Sequence, residues 1–284
     1  MSNIQIKQLS GSMGAEIIGL DLSKDLNNYE WEIVYNAFIK YIAIFFPDQN
    51  LDPKSYSSFF SRFGKPLKHP FIKSIKGSKY IHEIIKKNNE ENVFGNVWHT
   101  DFTNLIKPSL ANALYAKKTP EYGGDTLFSN MYLVYESFST NMQNFLKSLE
   151  AFHGFSDRYK KVISGKKNNL GLESDLISYK NKFNKEVIHP VVRTHPISGK
   201  KCIYVNPNFT LRIKGLNSDE SEVILKYLYN TSIMPDFTFR YKWSNNTLGI
   251  WDNRCSMHYA VNDYGNKLRV MQRMVVMEDT YPKL

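Results

Sequence analysis

The chain has 284 residues, of which 42% are hydrophobic and 23% are charged, with two cysteines and a formal net charge of +10. These values exclude a disordered chain and a small protein held together by disulfides or cysteine-bound zinc, because a chain of this length can bury a large core. The longest apolar stretch, residues 41–46, is far shorter than the ~18 residues of a membrane helix, and residues 1–7 lack the apolar core of a signal peptide. We therefore expect a cytoplasmic protein that acts without a membrane.

The positive charge does not by itself indicate a nucleic-acid partner. The lysines are spread along the chain and mixed with asparagine, whereas nucleic-acid binders group basic residues on one face or interleave them with stacking aromatics. A basic surface also attracts small anionic metabolites. We expect no nucleic-acid partner.

Four helices are predicted from apolar spacing and capping residues. They cover residues 31–41, a segment from Pro53 to a stop at Gly64, residues 139–149, and a segment after Ser218. On the last two, the side chains expected to face the core are Met142, Phe145, Leu146, Leu149, Val223, Ile224, Tyr227 and Leu228.

The last third of the chain is typical of β-sheet. Residues 237–243 alternate aromatic and polar side chains, and further strands are predicted at 201–205, 248–251 and 268–277. Aromatics make up 14% of the chain, which also favours sheet. We expect one mainly β domain with flanking helices over residues 1–284, and a mobile, lysine-rich insertion at 156–186.

Residues 98–101 read Trp-His-Thr-Asp and suggest a metal site. On an extended segment, residues two apart point to the same face, so His99 and Asp101 can offer an imidazole and a carboxylate to one ion. Two histidines and one carboxylate are the ligand set of non-haem Fe(II) oxygenases, so a second histidine would have to come from elsewhere. Taken alone, this short motif is also compatible with chance.

Two arginines share one face of the predicted strand 268–277. Arg269 and Arg273 lie roughly 13 Å apart on an otherwise apolar segment. Buried cations are costly unless they meet anions, and the guanidinium fork suits carboxylates, sulfonates and phosphates. Two bound anions and two structural salt bridges are both compatible with this pattern.

Taken together, the motifs resemble those of one family, the Fe(II)/2-oxoglutarate-dependent dioxygenases of the taurine dioxygenase type. The resemblance covers nearly the whole chain. It rests on the paired arginines and on residues 98–101, 123–127 (Gly-Gly-Asp-Thr-Leu), 189–196 (His-Pro-Val-Val-Arg-Thr-His-Pro) and 250–264. It implies a double-stranded β-helix, or jelly-roll, core with the metal at the mouth between two sheets.

The resemblance also implies roles for individual residues of the metal and co-substrate site. His99, Asp101 and His258 match the Fe(II) ligands. Arg269 and Thr126 match the residues that bind the distal carboxylate of 2-oxoglutarate. The implied reaction consumes 2-oxoglutarate and O2, hydroxylates a substrate carbon, and releases succinate and CO2.

On the substrate side, the resemblance implies that Arg273 and His69 bind the acidic group of the substrate and that Phe209 is an aromatic residue near the substrate. For a sulfonate such as taurine, hydroxylation next to sulfur would release sulfite and an aldehyde. The partner is therefore expected to be a small anionic organic molecule. We also expect a homo-oligomer, either a dimer or a tetramer.

Two positions depart from the taurine-binding pattern. Ile72 stands where a tyrosine would lie near the substrate amine, and Gly95 stands where an asparagine is expected, with Asn96 next to it as the substitute. The half of the pocket that binds the acid is retained, but the half that would recognise ammonium is not. A related alkylsulfonate, a sulfate ester and a carboxylate therefore remain open as substrates.

The remaining histidines are assigned mainly to structure. His189 and His195 are expected to stabilise the fold, and His82, in a lysine-rich stretch, is expected to be exposed. His153 precedes the predicted insertion, and both a structural position and one facing the pocket are compatible with the sequence.

Overall fold

The computed structural model describes residues 3–69, 72–86, 95–155 and 185–284. Most of the predicted insertion, residues 156–184, therefore lies outside the described residues. At its far end, Glu186 forms a two-point ion pair with Arg212, with oxygen–nitrogen distances of 2.8 and 2.7 Å.

Strands dominate the described chain. They are β1 (Gln5–Gln8), β2 (Ala15–Ile18), β3 (Ala43–Phe46), β4 (Lys65–Pro66), β5 (His82–Lys86), β6 (Ser109–Lys118), β7 (Thr126–Asn130), β8 (Glu150–His153), β9 (Val187–Pro190), β10 (Val192–Thr194), β11 (Lys201–Ile203), β12 (Thr210–Ile213), β13 (Thr238–Tyr241), β14 (Leu248–Asp252), β15 (Ser256–Ala260) and β16 (Arg269–Met277). The helices are α1 (Asn28–Tyr41), α2 (Pro53–Ser61), α3 (Met131–Glu136), α4 (Thr140–Lys147), α5 (Ser218–Ser232) and a 3₁₀ turn at Pro235–Phe237.

Two sheets form the jelly-roll core. The larger has the order β1-β2-β3-β14-β6-β16-β4, with β5 also paired to β16, and the smaller has the order β13-β7-β15. Two further small sheets, β12-β8-β9 and β10-β11, extend the structure. The predicted mainly β fold with flanking helices is confirmed.

Capping residues set the starts of the predicted helices. Asn27, Asp52 and Asn217 each accept a hydrogen bond from the backbone N–H three residues later, and the side chain at that third position bonds back. Among the described helices, none combines the length and apolar character required to cross a bilayer.

The predicted inward face of α5 is partly wrong. Val223 is 68% exposed, and Tyr227 is also exposed. The buried stripe is Ser221, Leu225, Leu228 and Ser232. Two of these four positions carry serines, which an apolar pattern does not detect. The Ser221 hydroxyl accepts from the backbone N–H of Ile213 at 2.8 Å, and that of Ser232 donates to a carbonyl of its own helix. On α4, Phe145 is exposed as well, and only Leu146 is buried.

An aromatic cluster joins the two sheets. Phe45 of β3 stacks on Tyr241 of β13 with ring centres 3.6 Å apart and planes 7° from parallel. Phe128 of β7 and Trp243 meet the Phe45 ring edge-on at 5.9 and 5.8 Å. These buried rings fix how the sheets face each other, and therefore where the strands that carry the site residues lie.

Gly249 of β14 lies directly under this cluster. A Cβ at this position would lie 2.6 Å from the Trp243 ring and 2.8 Å from the Phe45 ring. We predict that Gly249→Ala lowers the free energy of unfolding by ~1–3 kcal/mol, because the packed rings cannot move aside without strain. Chemical denaturation measures this, with Gly11→Ala as the control because nothing lies within 4 Å of a Cβ there. Equal effects of both substitutions would contradict the prediction.

Candidate metal and co-substrate site

The site forms where the two sheets meet. The backbones of His99 and His258 pair as a short antiparallel bridge, with N–H to O distances of 3.0 and 2.9 Å. His258 belongs to β15 of the smaller sheet, while Arg269 and Arg273 lie on β16 of the larger sheet. The expected position between the sheets agrees with this arrangement.

His99, Asp101 and His258, called here the ligand trio, offer three converging donor atoms. The Nε2 atom of His99 lies 3.7 Å from Oδ1 of Asp101, and that of His258 lies 3.5 Å from Oδ2. All three donor atoms lie within 4.8 Å of one another, and all three residues are buried. Nδ1 of His99 lies 2.6 Å from the carbonyl of Val97, so it carries the ring hydrogen and leaves the Nε2 lone pair for a metal.

The charge states of the trio suit a divalent metal. Burial pulls the pKa of Asp101 upward, but the positive charge of Arg273 and its hydrogen bond to the carboxylate, together with the neighbouring His258 and His99, outweigh it and hold the pKa at about 2. Burial lowers the pKa of His99, and burial beside His99 holds the pKa of His258 well below its usual value. Near neutral pH the site therefore presents one carboxylate and two neutral imidazoles, which bind a metal without first losing protons.

A second cluster of possible ligands does not fit a metal. His195, Asp252 and Cys255 also have donor atoms within 4.8 Å of one another. However, both oxygens of Asp252 already accept from the Arg254 guanidinium, at 2.9 and 2.6 Å, and His195 lies 3.0 Å from one of them. Burial raises the pKa of the Cys255 thiol well above its usual value, so it stays protonated. The structural role expected for His195 agrees with this ion-paired cluster.

Arg269 has the features of a carboxylate-binding residue. It is only 5% exposed, and within the described residues its Nε and Nη2 atoms have no hydrogen-bond partner. Buried guanidinium donors are costly when unpaired, so two of them on one side chain indicate an anion that binds there. Thr126 Oγ1 accepts from the Trp243 indole at 2.9 Å, which leaves its own hydrogen available to donate.

The Gly-Gly-Asp-Thr turn packs against Arg269. A Cβ at Gly124, whose φ is +71°, would lie 3.1 Å from Cδ of Arg269. The turn is held by Arg240, which bonds Asp125 at 2.6 Å and Asp263 at 2.7 Å. The glycine motif seen in the sequence therefore lets the backbone approach the arginine closely.

Arg273 and His69 approach one aromatic ring. The guanidinium carbon of Arg273 and the His69 ring lie 5.7 and 5.8 Å from the centre of the Phe102 ring, and Arg273 Nη2 lies 2.8 Å from Asp101 Oδ2. The backbone N–H of Ile72 donates to His69 Nδ1 at 3.1 Å, which places the hydrogen of a neutral ring on Nε2. Because burial and the Arg273 charge hold the pKa of His69 well below its usual value, His69 is a neutral donor.

The expectation that His82 is exposed is wrong. His82 is 3% exposed and lies opposite Arg273 in the pairing of β5 with β16. Its Nε2 atom accepts from the backbone N–H of His69 at 3.3 Å. The polar residues around His82 do not indicate exposure, since only alternate side chains of a strand share a face.

The described contacts of two predicted substrate residues, Phe209 and Asn96, do not include Arg273 or His69. Phe209 is buried with its ring 6.3 Å from that of Phe155. Asn96 is half-buried next to Gly95, where a Cβ would lie 3.5 Å from the His99 ring. Substrate roles for Phe209 and Asn96 remain predictions.

His153 is fully buried, and its Nδ1 lies 3.1 Å from the Thr103 hydroxyl.

Four of the five buried histidines outside the trio make stability depend on pH. Burial lowers the pKa of His69 and His153 well below the usual value, and that of His82 and His189 to about 4. In the unfolded chain these groups titrate at ~6.5, so below that pH the unfolded state binds more protons. We predict that the free energy of unfolding falls between pH 6.5 and 5, by up to ~1.4 kcal/mol per pH unit for each histidine.

Chemical denaturation of the chelator-treated protein at several pH values measures this dependence. His153→Gln, which cannot be protonated, should flatten it. The same free energy of unfolding at pH 6.5 and pH 5 would refute the prediction.

Comparison with known proteins identifies the family. The sequence profile of the taurine catabolism dioxygenase TauD, TfdA family matches residues 5–275. An alkylsulfatase of Acinetobacter baylyi is 32% identical over 96% of this chain and 84% of its own length. An alpha-ketoglutarate-dependent sulfate ester dioxygenase of Pseudomonas putida is 29% identical over 96% and 89%. The crystal structure of a taurine dioxygenase from Burkholderia xenovorans superposes with a TM-score of 0.81, at 29% identity, over 98% of this chain and 92% of that one. The chain belongs to the TauD/TfdA family and is a 2-oxoglutarate-dependent dioxygenase.

Proposed function

We propose that this enzyme hydroxylates a small alkylsulfonate, taurine or a related compound, at the carbon bonded to sulfur, with Fe(II), 2-oxoglutarate and O2. The observation that carries the proposal is the converging ligand trio with Arg273 beside it, 2.8 Å from Asp101 Oδ2, and a second buried arginine, Arg269, on the same face of β16. Nε and Nη2 of Arg269 have no partner among the described residues, whereas Nη2 of Arg273 lies 2.8 Å from Asp101, so the two arginines stand in different surroundings and we assign them to different anions.

Different residues of the site would bind the metal and the co-substrate. The ligand trio would hold Fe(II), which activates O2 for the hydroxylation when bound. Arg269 binds the distal carboxylate of 2-oxoglutarate, and Thr126, whose oxygen already accepts from Trp243, donates its hydroxyl hydrogen to the same carboxylate. The co-substrate is thereby oriented with its reactive end towards the trio.

The substrate anion would be held between Arg273 and His69. Both lie against the Phe102 ring, which supplies an apolar wall for the first carbon atoms of the substrate. In the overall reaction, one oxygen atom of O2 enters the substrate and the other enters succinate, while CO2 leaves. A carbon that carries both hydroxyl and sulfonate then breaks its C–S bond, which yields sulfite and an aldehyde.

A sulfate ester is the second candidate substrate. Two relatives, named an alkylsulfatase and a sulfate ester dioxygenase, favour it. A sulfate ester offers the same three-oxygen anionic end to Arg273 and His69, and hydroxylation of its carbon would release sulfate and an aldehyde. A carboxylate is the third possibility, and the dimeric or tetrameric state expected from the sequence stays a prediction.

Substitution of the two arginines by lysine should separate their roles. Lysine keeps the positive charge but loses the two-pronged fork. Arg269→Lys is predicted to raise the KM for 2-oxoglutarate, and Arg273→Lys the KM for the sulfonate, each roughly ten- to hundredfold, since a hydrogen bond to a charged group contributes ~1.5–3 kcal/mol. Steady-state kinetics with each compound varied in turn measures both constants. Identical effects of the two substitutions would argue against this division.

Substrate choice should depend on the apolar side of the pocket. Ile72 is buried and offers no polar group to an ammonium ion. An amine that enters would lose water and find fewer partners, at ~1–3 kcal/mol per unmet group. We predict that propanesulfonate or a short alkyl sulfate is used with a higher kcat/KM than taurine.

Ile72→Tyr is the matched variant for this comparison. It adds a hydroxyl at the buried position whose backbone N–H bonds His69, and it should raise the kcat/KM for taurine relative to propanesulfonate. Succinate release, followed with each compound at one 2-oxoglutarate concentration, measures the ratio. A tenfold advantage for taurine in the wild-type enzyme would show that other residues recognise the amine.

A further inference from the structure

Asn253, which directly follows β14, holds the backbone of Asp101 from both sides. Its Nδ2 atom donates to the Asp101 carbonyl at 2.8 Å, and its Oδ1 atom accepts from the Asp101 N–H at 3.0 Å. The side chain is 0% exposed. No local sequence pattern marks Asn253, because its partners lie 141–152 residues away along the chain.

The same amide is itself held by two buried residues of β6. Asn253 Nδ2 lies 2.7 Å from the hydroxyl of Ser109, and that hydroxyl donates to the Asp101 carbonyl at 3.1 Å. Asn112 donates to Asn253 Oδ1 at 3.0 Å, and its own Oδ1 lies 3.4 Å from Arg273 Nη2. Every polar atom of the Asn253 amide is therefore paired within a dry environment, where such bonds are strong and directional.

A strained residue lies immediately after the held backbone. Phe102 has a φ of +56°, in the left-handed region that bulky side chains rarely adopt. Such conformations persist only where the surrounding structure fixes them, and they cluster at functional sites. This turn directs the Asp101 carboxylate towards His99 and His258, and the Phe102 ring towards His69 and Arg273.

We propose that Asn253 is the positioning residue for the carboxylate of Asp101, and that its amide fixes the turn at Phe102 that sets this ligand within the trio. The inference rests on the ligand set proposed above. It assigns Asn253 no contact with the metal or the substrate, since the side chain acts on them through the Asp101 backbone. Ser109 supports the same carbonyl and has a smaller share in this role.

The experiment measures metal affinity rather than turnover. Co(II), a stand-in for Fe(II) that is stable in air, is titrated into wild type, Asn253→Ala, Ser109→Ala and Asp101→Ala, with the Kd and the visible absorption spectrum as readouts. We expect Asn253→Ala to weaken Co(II) binding roughly 10- to 100-fold and to shift the spectrum, as substitutions of residues that orient a ligand do. Ser109→Ala should weaken binding severalfold.

Gln49→Ala is the matched control. Gln49 is a buried amide that accepts from the Leu22 N–H at 2.9 Å and donates to the carbonyls of Leu20 and Pro47 at 3.0 Å each, away from the site. It should lower Tm but leave the Co(II) Kd and spectrum unchanged. If Asn253→Ala also lowers Tm with Kd and spectrum as in wild type, its role is structural only and the inference is overturned.

The remaining outcomes are also decisive. Should Asn253→Ala fail to fold, Ser109→Ala decides, and an unchanged Kd there overturns the inference. If Asp101→Ala loses Co(II) while the Asn253 and Ser109 variants retain it, the ligand set stands and only the positioning role fails. If Asp101→Ala binds Co(II) as wild type does, the proposed ligand set fails, and this inference fails with it.

Discussion

The arrangement of the site depends on the balance of buried charge between the two sheets. Asp101 is ionised, His99 and His258 are neutral, and Arg269 and Arg273 are buried cations. A divalent metal held by the trio as proposed would, with the two guanidinium groups and the one carboxylate, leave three positive charges in a dry interior, where uncompensated charge is costly. A dicarboxylate co-substrate and a monoanionic substrate carry three negative charges between them. With the proposed metal bound, the site would be complementary to a pair of anionic molecules, and a neutral substrate would leave one buried positive charge uncompensated.

Buried charges can bind two anions at separate places only if the charged side chains are held at fixed positions. Both sheets contribute to this positioning. The aromatic cluster around Phe45 sets how the sheets face each other, the bridge between His99 and His258 aligns two ligands, and the alternation of β16 puts both arginines on one face. Asn253 adds the constraint on the Asp101 backbone that neither sheet supplies by itself. Rigid strands thus position the charges, and a buried amide positions the turn between them.

Much of this could be predicted from the sequence, because short motifs and strand alternation are local. The trio, the Gly-Gly-Asp-Thr turn and the same-face arginines were visible as patterns, and the helix starts were visible in their capping residues. The burial of His82, the serine positions in the buried stripe of α5 and the role of Asn253 were not. Each of these depends on partners distant in the chain, so no local pattern distinguishes such a residue from an exposed polar one.

Charge balance alone does not discriminate between monoanionic substrates. Discrimination has to come from the directions of the hydrogen-bond donors that meet the anion. Arg273 extends from β16, while the His69 ring, a neutral imidazole with its hydrogen on Nε2, lies near the same Phe102 ring in the segment before β5. A guanidinium group can donate hydrogen bonds to two oxygen atoms of one anion, and a separate donor can then bind a third oxygen atom. A planar carboxylate has only two oxygens, whereas a sulfonate or sulfate has three around a tetrahedral sulfur. If Arg273 and His69 hold the substrate anion as proposed, the neutral second donor adds this preference without a further buried charge, and the pocket would favour sulfur oxyanions over carboxylates of equal charge.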